Sequence, residues 1–344
     1  MNRRRTVIVL VALLAVAGIA LWRAGIRRVS AGTIQPDVNS LALLPAQTTT
    51  VFGLDLDGLR STPVYALWRQ RMESKRHDKD YDEFVARTGF DPQRDLEAVT
   101  GGAWTDGQQP AFLAVVTARY NRSGLAAFLK EKGALVATYR GFELLGPEKH
   151  QPRADRPSPA LVLLDDRTIL AGTEPAVRQA IDLKLEAGGS VLTNQALLER
   201  VRRIGRENQL WAVSSAPGAF LPQHVPPLAQ ANIARVLRGL EGSTFAVNAT
   251  AGLNLLMEGT CASEEDARTL ADAARGVLAM LRLAAPADRP EALEVLNSFR
   301  VEQQERQVRV TAQLSWQLLD ELAEKPSLFL PRHREGAAPH QHKD

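Results

Sequence analysis

Residues Thr6 to Trp22 (TVIVLVALLAVAGIALW) form an uncharged apolar run of 17 residues, whereas apolar positions after Arg28 come in short segments separated by polar ones. At about 1.5 Å per residue the run makes a helix of roughly 25 Å. That is slightly short of the about 30 Å hydrocarbon core, a gap that Trp22 and a snorkelling Arg23 can close. The pattern predicts one N-terminal transmembrane helix, with residues 1–28 acting as an uncleaved signal-anchor. A cleaved signal peptide ending at Val29-Ser30-Ala31 is the competing reading, but three arginines separate that site from the apolar run. Arginines flank both ends, so the charge rule orients the helix weakly. Retaining the tri-arginine terminus inside the cell puts the body outside the cytoplasmic membrane, in the envelope or periplasm.

Residues 29–48 read as a linker. Thr50 to Leu56 alternates as a strand. A helix from Leu59 to Met72 follows, with Ser61 as N-cap and Pro63 in its first turn. A second helix runs from Asp80 to Arg87 and stops before Gly89. Pro110 to Tyr120 is an apolar run bounded by turn residues and reads as a buried strand. Asn121 to Lys132 is a helix closed by Gly133, and residues 134–145 return to strand character. Gly146 to Pro159 carries four prolines and several charges, which predicts a surface loop. Ala160 to Gly172 reads as a hairpin around Asp165-Asp166, because Asp hydrogen-bonds its own turn backbone. Helices from Thr173 to Ala187 and from Thr193 onward complete this stretch.

A similar order then recurs. Gln209 to Val213 is a strand, and Ser243 to Gly259 is a pair of strands joined near Gly252. Ser263, with Asp266 three residues on, caps an amphipathic helix whose apolar face runs through Ala267, Leu270, Ala271, Ala274, Val277, Leu278 and Leu281, with Leu270, Ala274 and Leu278 expected against the sheet. Residues Phe299 to Leu314 make an antiparallel hairpin around Glu305-Arg306 with one wet face. Residues 50–145 and 209–314 thus share the order strand, helical stretch, two strands, helix, two strands. The expected fold class is α+β, with antiparallel sheets packed against helices and two similar halves that suggest an internal duplication. The halves are placed at 49–208 and 209–325, followed by a disordered tail at 326–344.

Apolar residues make up 45% and charged residues 24%, so the body is expected to fold as an ordinary globular region. Its basicity is misleading. Six arginines and no acid lie in the first 28 residues, leaving 36 basic against 39 acidic groups afterwards. A nucleic-acid binder concentrates basic charge on its folded domain, so that class is excluded. The single cysteine, Cys261, excludes an intramolecular disulfide and reads as a small buried residue.

Leu44-Pro45-Ala46 leading into Val51-Phe52-Gly53-Leu54-Asp55, together with Leu59 to Tyr65, Leu164 to Ala180 and Ser298 to Val310, resembles an uncharacterised family of bacterial membrane-anchored proteins known only as a domain of unknown function. The resemblance spans residues 40–325. It implies an α+β body outside the cytoplasmic membrane and assigns no functional residue.

Chemistry-bearing patterns are weak. Asp78, Asp80 and Asp82 imitate the start of a calcium loop, yet Glu83 and Gly89 occupy the positions where that loop needs glycine and a bidentate glutamate. Gly141 to Lys149 spaces glycines like a phosphate loop, but Pro147 stands where the lysine belongs. Asp55 and Asp57 are expected on one face of the first strand, where paired carboxylates can divide acid and base roles. Arg200, Arg202, Arg203 and Arg206 form a basic helix end that complements the helix dipole or meets an anionic partner. Trp68, Trp104, Trp211 and Trp316 are expected in the core. The six histidines fall in loops and the tail. No catalytic constellation, metal site or cofactor site emerges.

The function read from these features is a membrane-anchored extracytoplasmic binding or scaffold protein. A carrier sheltering an apolar ligand between the halves and an enzyme with an unrecognised site are the alternatives. Ala216 to Leu228 (APGAFLPQHVPPL) holds four prolines around Phe220, Leu221 and Val225. A Pro-held apolar segment loses little entropy on binding, which makes these three residues the expected contact with an envelope protein partner.

Overall fold

A computed structural model describes residues 37–63, 65, 79–107, 109–147, 158–186, 188–205, 207–216, 237, 239–286 and 290–324. The anchor, Trp68, all six histidines, the segment bearing Phe220, Leu221 and Val225, and the tail lie outside them. Among the described residues no helix is long and apolar enough to cross a membrane.

The described chain runs α1 (Val38–Ala42), β1 (Thr50–Asp55), α2 (Leu56–Arg60), α3 (Lys79–Thr88), α4 (Pro92–Asp95), β2 (Leu96–Asp106) and β3 (Gln109–Ala118). It continues with α5 (Arg122–Glu131), β4 (Leu135–Tyr139), β5 (Phe142–Gly146), β6 (Pro159–Leu163), β7 (Thr168–Thr173), α6 (Glu174–Glu186) and α7 (Gln195–Arg203). Then come β8 (Leu210–Ser214), β9 (Leu240–Asn248), β10 (Leu253–Cys261), α8 (Glu264–Ala284), α9 (Pro290–Asn297), β11 (Arg300–Gln304), β12 (Gln307–Leu314) and α10 (Trp316–Glu324). The fold is α+β. Its strands form one antiparallel sheet of order β11-β12-β10-β9-β8-β1-β2-β3-β7-β6-β5-β4. The expected boundary at 208/209 falls between α7 and β8. Across it β1 and β8 pair directly, Thr50 opposite Ser214 and Leu54 opposite Leu210.

Local chemistry explains most element ends. Asn121 accepts a hydrogen bond from the Gly124 N–H at 2.9 Å and caps α5, which closes at Gly133 with φ 91°. Ser263 caps α8 by accepting from the Asp266 N–H at 3.0 Å, while its hydroxyl sits 2.6 Å from the Asp266 carboxylate. Arg140 and Gly141, both at positive φ, form the two-residue turn joining β4 to β5. That places the phosphate-loop look-alike in a hairpin.

Several expectations are corrected. Residues 38–48 are not linker: Asp37 caps α1, and Leu41 and Leu44 are buried in the core because they cover the apolar side of the sheet. Ser61 ends α2, its hydroxyl donating to the Gly58 carbonyl, and Thr62 accepts from the Tyr65 N–H, so no single helix begins at Leu59. Asn194, not Thr193, caps α7. Strand β2 escapes a pattern reading because Gly101 and Gly102 look like a turn. They are required there, since a Cβ on Gly101 would come within 2.1 Å of the Phe52 ring on the neighbouring strand.

Helices are distributed unequally over the two faces. On one face α2, α3 and α5 cover Leu54, Val99, Val116, Leu163 and Ile169. The same side continues under α9 and α10 at Leu253 and Leu314, and under α8 at Cys261 and Val308. On the opposite face α1, α6 and α7 cover Val51, Leu113, Val115, Val162, Leu170 and Val213, and that cluster ends at Ala246 on β9. Beyond Ala246, among the described residues, no helix covers this face.

Candidate functional site

The face of β9, β10 and β12 that no described helix covers meets the C-terminal end of α7 and forms a groove of about 360 Å³. Period-2 alternation places every second side chain of each strand toward it, and the pairing register arranges them in rows. Asn248, Asn254 and Gln313 make a row of three amides. Ala246, Leu256 and Thr311 form the next row, and Thr244, Glu258 and Arg309 the third. Gly242, Thr260 and Gln307 complete the face. At about 3.4 Å per residue the face spans roughly 20 Å from the first row to the last.

Arginine closes the far end. The half-buried Arg200 guanidinium lies over Gly242, where a Cβ would come within 2.4 Å of its Cζ, and its Nη1 donates to Thr260 Oγ1 at 3.0 Å. Arg203, one turn further along α7, also lines the groove. Glu258 is neutralised by Arg309 across the strands, with a closest N–O distance of 2.6 Å. Among the described residues no carboxylate lies within ion-pair distance of Arg200 or Arg203. Glu207 is the remaining acid in the lining. The groove therefore presents amide and hydroxyl donors and acceptors along its floor and two uncompensated cations at one wall.

Of the residues singled out in the sequence, the structure brings only Arg200 and Arg203 into this groove. Arg206 lies outside the described residues, as do Phe220, Leu221 and Val225. Asp55 and Asp57 do not share a strand face. Asp55 ends β1, is buried, and caps α2 by accepting from the Gly58 N–H at 2.8 Å. Asp57 lies exposed in α2 and pairs with Arg60. Desolvation by burial pushes the Asp55 carboxyl above its usual range, more than the Gly58 N–H holds it down. Asp80 and Asp82 sit in the first turn of α3, where acids complement the helix dipole.

Cys261 is buried against Ala267, Ala271 and Val308, and desolvation raises its thiol pKa, which disfavours the reactive thiolate. Trp104 and Trp211 pack in the core. Among the described residues no three His, Cys, Asp or Glu side chains converge as a metal site. The three-amide row went unnoticed in the sequence. Its signal was the alternation of polar residues in 307–314 and 254–260, which marks one wet face but leaves the register open.

No family model and no curated protein matches the sequence. Three solved structures, crystal forms I, IV and III of TP0453, are similar to the chain. Form I aligns with TM-score 0.43 and 9% identity over 88% of this chain and 98% of that one. Form IV gives 0.42 and 10% over 88% and 98%. Form III gives 0.43 and 10% over 83% and 97%.

Proposed function

We propose that this chain is a membrane-anchored extracytoplasmic binding protein whose binding surface is the uncovered face of β9, β10 and β12. The observation behind this reading is the unequal helix cover. Among the described residues the centre of the sheet is enclosed on both faces, whereas β9 to β12 are enclosed on one and open on the other into a groove bounded by α7. A concave site with a few convergent polar groups is the usual form of a small-molecule site, and this lining favours a polar ligand over an apolar cargo. The 17-residue apolar run with flanking arginines supports the anchor.

An internal duplication fits the strand order. From the seam, β1, β2, β3 and then β7 run outward on one side, and β8, β9, β10 and then β12 on the other, with helices α5 and α8 following the third strand of each set. An envelope partner at Phe220, Leu221 and Val225 belongs to the same reading.

Two measurements test it. External protease applied to spheroplasts expressing the full chain is expected to degrade the body, and complete protection overturns the assigned side of the membrane. A thermal-shift panel of polar and apolar small molecules is expected to yield a polar compound that stabilises the full chain and loses its effect in Thr311→Trp, which fills the groove. If only apolar compounds stabilise the chain, and do so equally in the variant, the surface is assigned wrongly.

A further inference from the structure

Resting on the groove as the binding surface, we propose that its ligand is a small polyhydroxylated anion of the sugar-acid or sugar-phosphate type. Two features of the lining lead there. The first is charge without a partner. Arg60, Arg87, Arg94, Arg140 and Arg178 all meet a carboxylate. Among the described residues Arg200 and Arg203 do not, and of the arginines without a carboxylate there they are the two that line this groove, one helical turn apart. Arg200 is also held in place. Its guanidinium lies against the glycine backbone of β9, and Thr260 fixes one of its nitrogens. A preorganised guanidinium loses less freedom on meeting a carboxylate or phosphate, with which its planar fork makes paired hydrogen bonds. Glu258 does not oppose this, since Arg309 already occupies it. Glu207 is the remaining acid in the lining.

The second feature is the floor. Asn254 and Gln313 offer N–H donors and carbonyl acceptors side by side on adjacent strands, Asn248 adds its N–H donors while its Oδ1 accepts from the Thr250 N–H at 2.8 Å, and Thr244 and Thr311 add hydroxyls that both donate and accept. Such groups match sugar hydroxyls, each of which also donates and accepts. Leu256 supplies a small apolar spot between the rows, suited to the C–H side of a ring. The volume of about 360 Å³ lies at the small end of ligand sites and limits the occupant accordingly.

The test is calorimetric titration of the full-length chain in a lipid nanodisc with glucuronate, glucose 6-phosphate, inorganic phosphate and neutral glucose. The expected result is saturable binding of glucuronate or glucose 6-phosphate, about tenfold or more tighter than glucose. The stronger of the two arms identifies the anion. Arg203→Glu is expected to weaken that binding about tenfold, while Arg202→Glu, the same charge change at a neighbouring α7 arginine outside the groove lining, leaves it unchanged. Asn254→Ala is expected to weaken the sugar anion and leave inorganic phosphate unaffected. Equal binding of glucose, equal effects of the two arginine variants, or no saturation by about 10 mM overturns the proposal. If a neutral polar compound binds and Thr311→Trp blocks it while neither anion binds, the ligand class is wrong and the binding surface stands. If no polar compound binds, both fall.

Discussion

Trp211 on β8 covers Gly53 on β1, so closely that a Cβ at residue 53 would lie 2.3 Å from the indole Cε2. The two residues are direct cross-strand partners at the seam between the two sets of strands. An aromatic ring laid over a glycine fills the space a side chain would have taken. Gly53→Ala should displace the indole from its buried position and destabilise the protein by about 1–3 kcal/mol, the usual cost of overpacking. Urea denaturation of the variant against the wild type measures it. A change below about 0.5 kcal/mol would mean that the seam tolerates the methyl group.

Asp55 ties stability to pH. Its folded pKa is raised, chiefly by desolvation, so between the ordinary carboxylate value and that raised value the folded chain binds more proton than the unfolded one. Stability from this group is therefore greatest in acid and declines as pH rises through the folded pKa. Asp55→Asn keeps an oxygen to accept the Gly58 N–H and removes the charge, so it should be more stable than wild type at pH 7, with the difference vanishing toward pH 4. Asp55→Ala loses the cap and should cost about 1 kcal/mol. Melting temperatures of the three proteins across pH 4 to 8 decide the sign.

On α8 the expected apolar face meets the sheet over only part of its length. Ala267 and Ala271 are fully buried against the sheet, whereas Leu270, Ala274 and Leu278 are half-buried and Val277, Met280 and Leu281 are exposed. Small residues allow the helix to approach the strands closely. Ala271→Asp should therefore cost about 3 kcal/mol or more, as an uncompensated buried charge does. Leu281→Lys should stay within about 0.5 kcal/mol of wild type. Equal losses in a denaturation experiment would refute this division of the helix.

The start of α8 gives a separate test. Ser263→Ala removes the acceptor for the Asp266 N–H and the hydroxyl that meets its carboxylate. A loss of about 1 kcal/mol is expected, and Ser263→Asn should recover most of it. Failure of the asparagine to recover stability would assign the loss to something other than the cap.

Local signals were legible where chemistry and geometry coincide within a few residues. Asn121 and Gly133 bracket α5, Ser263 opens α8, and Asp165-Asp166 turns the β6–β7 hairpin, with Asp165 accepting from the Arg167 N–H at 3.0 Å. Strand β2 was not legible, because Gly101 answers to Phe52 on another strand and Gly102 to Thr48 and Leu44 before it. Helices α9 and α10 were missed for a related reason. Both are short and pack on Leu253 and Leu314, and the local signal for α10, Ser315 accepting from the Leu318 N–H at 3.2 Å, is a single residue.

By itself the sequence determined the strongly periodic elements, the antiparallel α+β class, the apolar N-terminal run and the wet face of the last hairpin, since each depends on side-chain period and turn chemistry over short distances. Tertiary structure alone decided that β1 and β8 join their strands into one sheet, that Asp55 is buried while Asp57 is not, and that Arg200 meets Thr260 sixty positions away. Strand register and the choice of which face a helix covers depend on residues distant in the chain, and a shift of one residue would turn the three amides away from the groove. The candidate site exists only at that register, which is why its parts are ordinary polar residues in the sequence and become a site only in the fold.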